Sequence, residues 1–381
     1  MAKTATIEVK EKTPITSLQG FLKTLLEKTE IDAILVAQHL PMKSVVMPTL
    51  VTDPEKLDGA DPFAPAFPFN ASKVLSRLTR RATGGKLAAV LRPCEIRAFI
   101  ELVKLKQGSM EDVVLIGADC PGAYSNVNYP RFVVEHGANA TLAFLEKSLG
   151  GKGTACQDFD LASACQSCEY PIPENSDLLI GLLGMDIQNA LLLKANTPQG
   201  EALLDQLGLS QAQEPEGRKA IVADLIARRT AARDQMFEAT AEDTADLEKL
   251  MVYLGNCVNC FNCRVACPVC YCKECVFVTD VFDHDPSQYL RWAKRKGILK
   301  MPTDTVFYHL TRLAHMSTAC VGCGQCSNAC PNNIPVMEIF RTIASHTQRA
   351  FKYEAGRSVD DELPLSVFRE KEFSEVTGGK D

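Results

Sequence analysis

The sequence predicts two domains of different class, an α/β half followed by a mostly α-helical half. In the first half, compact apolar runs alternate with helical patterns, as expected for buried strands joined by helices. The second half carries two cysteine-rich runs, at 257–268 and 320–331, set among helical patterns. The predicted boundaries are 1–208 for the α/β domain, 209–245 for a linker and helix, 246–351 for the helical domain and 352–381 for a charged tail. We expect this tail to be disordered or to lie on a partner.

Each cysteine-rich run reads C-x2-C-x2-C-x3-C-P, the pattern that binds a 4Fe-4S cluster. Three closely spaced cysteines on one loop supply three corners of the cubane, and in two-cluster ferredoxins the fourth binds the other cluster. The proline that follows turns the chain away, because it fixes φ and lacks a backbone donor. We assign one cluster to Cys257, Cys260, Cys263 and Cys330, and the other to Cys320, Cys323, Cys326 and Cys267.

The alternative reading of these runs is a pair of zinc sites, but zinc sites usually join two C-x2-C halves. The 52 residues between Cys267 and Cys320 make the segment too long for a compact two-cluster ferredoxin of the β type. Helical patterns at 288–296 and 306–315 indicate the helical ferredoxin variety instead. We interpret His309 and His315, which lie in this insertion, as surface or packed residues and not as ligands.

Composition excludes several classes of function. A net charge of −6 argues against a nucleic-acid-binding protein. No apolar stretch approaches the length of a membrane span, and the N-terminal residues lack the apolar core of a signal peptide. We therefore expect a cytoplasmic protein that does not span a membrane. Its sixteen cysteines then favour metal ligation over disulfide bonds.

The α/β half places cysteines at the ends of its predicted strands. Cys94 follows the strand at 87–91, where a helix begins, and Cys120 follows the strand at 113–117. The carboxyl edge of a parallel sheet is where ligands bind, and a helix N-terminus stabilises a thiolate. The half-site Cys165-x-x-Cys168 completes a set of four, which predicts a third cluster. A zinc site or unligated buried thiols are the alternatives, with Cys156 spare or a substitute ligand.

A further run, Cys270-x-Cys272-x-x-Cys275, follows the first motif. In the functional interpretation, these three cysteines are ligands of a further cluster whose fourth ligand comes from elsewhere in the chain. This would bring the total to four clusters. The structural interpretation is packing beside the first cluster, with free thiols tolerated in a reducing compartment.

Three segments of the α/β half carry a resemblance to a known family: residues 92–98, residues 115–122, and the Cys165–Cys168 pair followed by 176–181. Over about 85–185 they resemble the β-subunit family of deazaflavin (coenzyme F420) hydrogenases and formate dehydrogenases. Residues from about 245 to 345 are similar to the helical ferredoxin of C-type heterodisulfide reductase proteins and of succinate dehydrogenase iron–sulfur proteins.

The resemblance implies an α/β flavin domain that binds FAD, joined to the mostly α-helical two-cluster ferredoxin domain. Such a subunit passes electrons between FAD and 4Fe-4S clusters and serves a catalytic formate dehydrogenase or hydrogenase subunit, or heterodisulfide-reductase-like subunits. It implies FAD in the vicinity of Arg92, Cys94 and Arg97. The candidates for binding its phosphates are Arg77, Arg80, Arg81 and Arg92.

Several points stay open from the sequence. It holds no G-x-G-x-x-G fingerprint after a strand, so it gives no dinucleotide signature of its own. The two-electron donor or acceptor is a deazaflavin, NAD(P), a ferredoxin or a heterodisulfide-reductase-like complex, and catalytic residues are not identified in this chain. The alternative function is a flavin-free iron–sulfur connector that links two redox enzymes.

Overall fold

A computed structural model of the protein describes residues 3–41, 45–150, 159–299 and 302–367. Its N-terminal half contains one seven-stranded sheet. The strands are β1 (Thr4–Glu8), β2 (Ile31–His39), β3 (Val46–Val51), β4 (Lys86–Leu91), β5 (Val113–Ala118), β6 (Leu178–Gly181) and β7 (Ala190–Ala195). Their order across the sheet is β1-β7-β6-β5-β4-β2-β3.

The helices of the N-terminal half are α1 (Pro14–Lys28), α2 (Ser72–Leu78), α3 (Pro93–Lys104), α4 (Asn128–His136), α5 (Ala140–Leu149), α6 (Ser163–Gln166) and α7 (Pro198–Leu207). The long α8 (Arg218–Asp243) connects the halves. The C-terminal half contains α9 (Leu247–Tyr253), α10 (Asn262–Ala266), α11 (Pro286–Lys296), α12 (Thr305–Met316), α13 (Gln325–Asn328) and α14 (Val336–Ala350). Single 3-10 turns occur at Pro54–Gly59, Gly137–Asn139, Val276–Val278 and Asp280–Phe282.

The sheet is mixed, which refines the predicted α/β class. Its centre, β2-β4-β5-β6, is parallel, whereas β3, β7 and β1 pair antiparallel with their neighbours. Short connections explain why β3 and β7 run antiparallel to the strands that precede them, β2 and β6, because only a longer crossover can return the chain in the same direction. Both faces of the centre are buried. On β4, Ala88 and Val90 pack on one face, while Leu87, Ala89 and Leu91 pack on the other.

A buried ion pair attaches the connecting helix α8 to the sheet. The Arg218 guanidinium donates to both oxygens of Asp119 at 2.6 and 3.0 Å. The same carboxylate accepts the backbone N–H groups of Leu182 and Leu183 at 2.8 and 3.0 Å. Since every partner of this buried carboxylate donates a hydrogen bond, the pair is satisfied and fixes where α8 begins.

The C-terminal half is helical, as the sequence predicts, and has its own apolar core. Leu254, Tyr308, Ile334 and Phe340 belong to this core, against which cysteines of both motif runs pack. Helix α14 contacts α8 and α12, so it lies between the connecting helix and the insertion. Among the described helices, none combines the length and the apolar character that a membrane crossing needs.

The segment after α14 corrects one expectation. We expected the tail to be disordered or to lie on a partner, but its described part packs on this chain. The Tyr353 hydroxyl and the Gly356 N–H both donate to one oxygen of Glu101 on α3, at 2.6 and 2.7 Å. Ala355 is fully buried. The tail therefore ties the helical half back to the α/β half; residues 368–381 lie outside the described part.

Candidate metal centres

The structure gathers Cys257, Cys260, Cys263 and Cys330, here called the first thiol group. Burial raises the pKa of Cys257, and the thiolates of Cys263, Cys260 and Cys330 raise it further. The backbone N–H of Ile334 donates to the Cys330 sulfur at 3.4 Å. The fourth cysteine of the second run therefore lies beside the first three cysteines of the first run.

The second thiol group consists of Cys320, Cys323 and Cys326 together with Cys267. Burial raises the pKa of the first three cysteines of the second run, and the nearby Cys267 thiolate raises it further. The fourth cysteine of each run thus lies with the other run. Iron binding by these two groups stays a prediction.

The third thiol group consists of Cys94, Cys120, Cys165 and Cys168. Cys94 begins α3, Cys120 follows β5, and Cys165 lies on α6. Burial raises the pKa of Cys165 to about 12, and the Cys120 and Cys168 thiolates add to the effect. Burial likewise raises the pKa of Cys94 well above its usual range, to which Cys120, Cys168 and Cys323 contribute. The strand edges and the C-x2-C loop therefore meet at one place. Cys156, the spare cysteine, lies outside the described residues.

The loops that carry the first two groups share a backbone pattern. The third and fifth residues of each run have positive φ: 51° and 60° at Asn259 and Phe261, and 69° and 77° at Gly322 and Gly324. Such residues turn successive amides towards one side of a loop. Backbone N–H groups of Asn259, Gly322 and Gln325 donate to the sulfurs of Cys257, Cys320 and Cys323.

These features test whether the residues suit an iron–sulfur cluster. Clustered thiols resist ionisation, because burial disfavours the thiolates and the thiolates repel one another. Coordination to a metal overcomes this and deprotonates the thiols. Amides directed at the sulfurs favour the same anionic state. In the described part of the chain, no group of three or more His, Cys, Asp or Glu is placed to hold a single metal ion. In chemistry, each set of four cysteine thiols fits the ligand set that a 4Fe-4S cubane takes.

The second and third groups meet where the two halves of the chain dock. Gly324, beside Cys323, lies so close to α6 that a Cβ added to it would come within 2.4 Å of the Ala164 Cβ. Arg341 on α14 donates to the Ser167 carbonyl and hydroxyl at 2.7 and 2.9 Å, and it forms an ion pair with Glu169. Because Ser167 lies between Cys165 and Cys168, these contacts hold the third group against the helical half.

Side chains of α12 surround the first group, which the sequence did not predict. Arg312 donates to the Cys263 sulfur at 3.2 Å, and the Tyr308 hydroxyl lies 3.3 Å from the same atom. His309 Nε2 lies 3.4 Å from the Cys257 sulfur. Burial and the Arg312 charge lower the pKa of His309 to about 4. His309 is packed, as expected, yet it also touches a candidate ligand.

Comparison with known proteins agrees with the family resemblance. Residues 253–334 match the model of the 4Fe-4S dicluster domain. The F420-dependent formate dehydrogenase subunit beta of Methanocaldococcus jannaschii is 25% identical over 375 residues, covering 91% of this chain and 93% of that protein. The F420-dependent formate dehydrogenase 1 subunit beta of Methanococcus maripaludis is 26% identical, covering 92% of each.

The predicted resemblance is confirmed. The chain is similar to formate dehydrogenase beta subunits over nearly its whole length. Among solved structures, a chain of the F420-reducing [NiFe] hydrogenase complex from Methanosarcina barkeri matches at 14% identity with a TM-score of 0.46. That match covers 65% of this chain and 94% of the other. A score of this size supports no conclusion about function or fold.

The third cysteine run lies beside the second thiol group. Burial raises the pKa of Cys270 to about 11, and the neighbouring thiolates of Cys267 and Cys272 raise it further. Cys272 is exposed, and Cys275 packs against the helical core. Ligation of a further cluster by Cys270, Cys272 and Cys275 stays a prediction.

The arginines expected near FAD are engaged with protein atoms. Arg92 donates to the Ala64 carbonyl at 2.6 Å and lies 5.0 Å from the centre of the Phe67 ring. Arg97 donates to the carbonyls of Val321 and Ala355 at 3.4 and 2.7 Å. The contacts of Arg97 give it a role in docking the two halves, and a contact with FAD at either arginine stays a prediction.

A basic cleft separates α2 from the cysteine-rich loop. It measures about 280 Å³. The basic residues that line it are Lys73, Arg77, Arg80, Arg264 and Lys273, and no acidic residue is among its described lining. Lys73 donates to the Val265 carbonyl at 2.6 Å across it. Cofactor pockets begin at about 300 Å³, so the cleft suits a diphosphate better than a whole dinucleotide.

Gly324→Ala tests the docking of the halves. A methyl group there meets Ala164, so we expect it to destabilise the holoprotein by about 1–3 kcal/mol beyond the cost of a left-handed alanine. Gly297→Ala is the matched control, because Gly297 also has φ of +77° but no atom within 4 Å of the added Cβ. Thermal melting and limited proteolysis measure the difference, and equal melting temperatures would contradict the tight approach.

Proposed function

We propose that this chain is the electron-transfer subunit of a formate dehydrogenase-type oxidoreductase complex, passing electrons between FAD and 4Fe-4S clusters for a catalytic partner. One observation carries the proposal: three groups of four thiols follow one another from the sheet edge into the helical half, in a chain similar along its length to such beta subunits.

The three groups would hold one 4Fe-4S cluster each, which supplies one-electron transfer when bound. The chain's residues half-bury the cysteines of the second and third groups and supply amide donors to the sulfurs of Cys120 and Cys320. Cys94 and Cys323 are near enough for their charges to interact, so the third group adjoins the second. The zinc scaffold is the competing metal assignment, and iron analysis distinguishes the two.

The basic cleft supports a phosphate-bearing cofactor such as FAD. Arg77 and Arg80, two of the residues expected to bind FAD phosphates, line it together with Lys73. FAD accepts two electrons and releases them singly, which suits a site beside iron–sulfur clusters. We also propose that FAD lies in the vicinity of Arg92, Cys94 and Arg97. Cys94 is at the same time a proposed ligand in the third group.

The partners follow from the relatives' names. The proposed donor is a catalytic formate dehydrogenase subunit, with a hydrogenase or heterodisulfide-reductase-like subunit as the alternative. The relatives are named F420-dependent, so a deazaflavin is the proposed two-electron acceptor. A cytoplasmic location is proposed on the ground that the fifteen described cysteines are all free thiols.

Iron content tests the third group. We expect about twelve irons per chain after anaerobic reconstitution, and about eight when Cys165 and Cys168 are both replaced by serine, since four ligands bind one cubane. Cys272→Ser is the control, because its thiol is exposed and outside the three groups. Eight irons in both the unmodified chain and the double variant would remove the third cluster, whereas about sixteen irons in the unmodified chain and twelve in the control would indicate a fourth.

Flavin retention tests the basic cleft. Replacing Arg77 and Arg80 by glutamine removes two cations that would face the phosphates, so we expect FAD to bind roughly tenfold more weakly or worse. Arg131→Gln makes the same kind of change at an exposed residue that does not line the cleft and is not a candidate for binding FAD. Flavin released by acid and fluorescence titration with FAD provide the measurement. A chain with full iron content and no flavin would favour the flavin-free connector.

Formate-driven reduction tests the proposed function itself. Mixed anaerobically with the catalytic subunit of its source, the chain should lose its iron–sulfur absorbance when formate is added, because electrons enter the clusters. The same mixture without the catalytic subunit should keep its absorbance. If dithionite reduces the clusters fully while formate and the catalytic subunit leave them oxidised, the proposed role is wrong.

A further inference from the structure

We propose that helix α12 sets the reduction potential of the first thiol group's cluster, with Arg312 as the principal residue. The inference rests on the proposed function only in that the group binds a 4Fe-4S cluster. It assigns α12 a positioning role in electron transfer: its side chains favour the reduced state of that cluster, so that electrons from the donor partner are drawn to it.

Three contacts from one helix carry the proposal. Tyr308, His309 and Arg312 occupy one face of α12, and each places a polar hydrogen-bonding group 3.2–3.4 Å from a sulfur of the first group. Two of the three meet the same atom, the Cys263 sulfur. Hydrogen bonds to cluster sulfurs tune the reduction potential, because they stabilise the additional negative charge of the reduced state.

Arg312 differs from the other two because it brings a full charge. It is 3% exposed, and its guanidinium lies 4.6 Å from the centre of the Phe340 ring. It forms no carboxylate ion pair among the described residues. It also donates to the Cys263 carbonyl at 3.3 Å, and within the described part of the chain its Nε has no hydrogen-bond partner.

A buried cation without a carboxylate is costly unless another anion balances it. The groups whose negative charge would act most strongly on Arg312 are Cys263, Cys267, Tyr308 and Cys326, of which three are cysteines of the first two thiol groups. Arginine also keeps its charge whatever the redox state of its neighbours. The charge is therefore a permanent positive potential at the first group and, more weakly, at the second.

The first thiol group lies at the protein surface, where its cluster would exchange electrons with a partner. Cys260 is exposed, and Val258 beside it is 60% exposed, so the first group reaches the protein surface. The third group lies at the sheet edge, and its Cys94 lies near Cys323 of the second group. A cluster at the surface that favours the reduced state would take up electrons where the donor partner can deliver them.

Redox titration of the anaerobically purified full chain, followed by electron paramagnetic resonance, tests the proposal. In Arg312→Gln we expect the equilibrium constant for reducing the first cluster to fall at least tenfold, which is a shift of about 59 mV to lower potential for one electron. Arg312→Lys should shift the potential less, because it keeps the charge. Tyr308→Phe should lower the same signal's potential by a few-fold in equilibrium constant while leaving the volume of the side chain nearly unchanged.

Arg291→Gln is the matched control, since Arg291 is exposed on α11 and donates to the Ser287 hydroxyl, away from the thiol groups. Iron content is measured for every variant, and Tyr308→Phe decides the matter if Arg312→Gln assembles no cluster. If the equilibrium constant for reducing the first cluster stays within twofold of the unmodified protein in both Arg312→Gln and Tyr308→Phe, at full iron content, the role of α12 is overturned and the proposed function is left intact. An unmodified chain that takes up no iron would overturn the proposed function instead.

Discussion

The approach of Cys94 to Cys323 is the constraint on which the rest of the structure depends. Cys94 belongs to the α/β half and Cys323 to the helical half, so their distance is set by how the halves dock. Docking is close because Gly324 has no side chain where it meets Ala164. The connecting helix, the returning tail and the interdomain arginines hold the same boundary, and the proposed electron transfer across it would need such a rigid interface.

The α/β half uses its sheet edge in an uncommon way. In open parallel sheets, ligands bind outside the carboxyl ends of the strands. Here the ends of β4 and β5 lead to Cys94 and Cys120, and the helical half covers them. The basic cleft lies to the side, between α2 and the cysteine-rich loop. The positive charge that a phosphate-bearing cofactor would need therefore lies beside the sheet edge and not at it.

The sequence predicted what depends on local spacing. The two cysteine runs, the strands that lead to Cys94 and Cys120, and most helices follow from patterns within about twenty residues. The interdomain contacts do not, because Arg341 and Ser167 lie far apart in the sequence and only tertiary packing joins them. The same reason explains the basic cleft, where α2 meets Arg264 and Lys273. It also explains the tail, whose charged composition predicts exposure although Tyr353 and Ala355 are buried.

Buried arginines accompany every thiol group, and this links cluster charge to the docking of the halves. Arg312 lies at the first group, Arg97 and Arg341 lie near Cys320 of the second, and Arg229 lies near Cys120 of the third. A buried arginine is stable only beside a compensating negative charge. Glu169 provides it for Arg341, whereas Arg97 and Arg312 form no carboxylate ion pair among the described residues, and thiolates bound to a cluster would provide it there. Since Arg97 also joins the two halves, the proposed metal binding and the interdomain docking would stabilise each other, and the proposed electron path would be assembled only when its centres are filled.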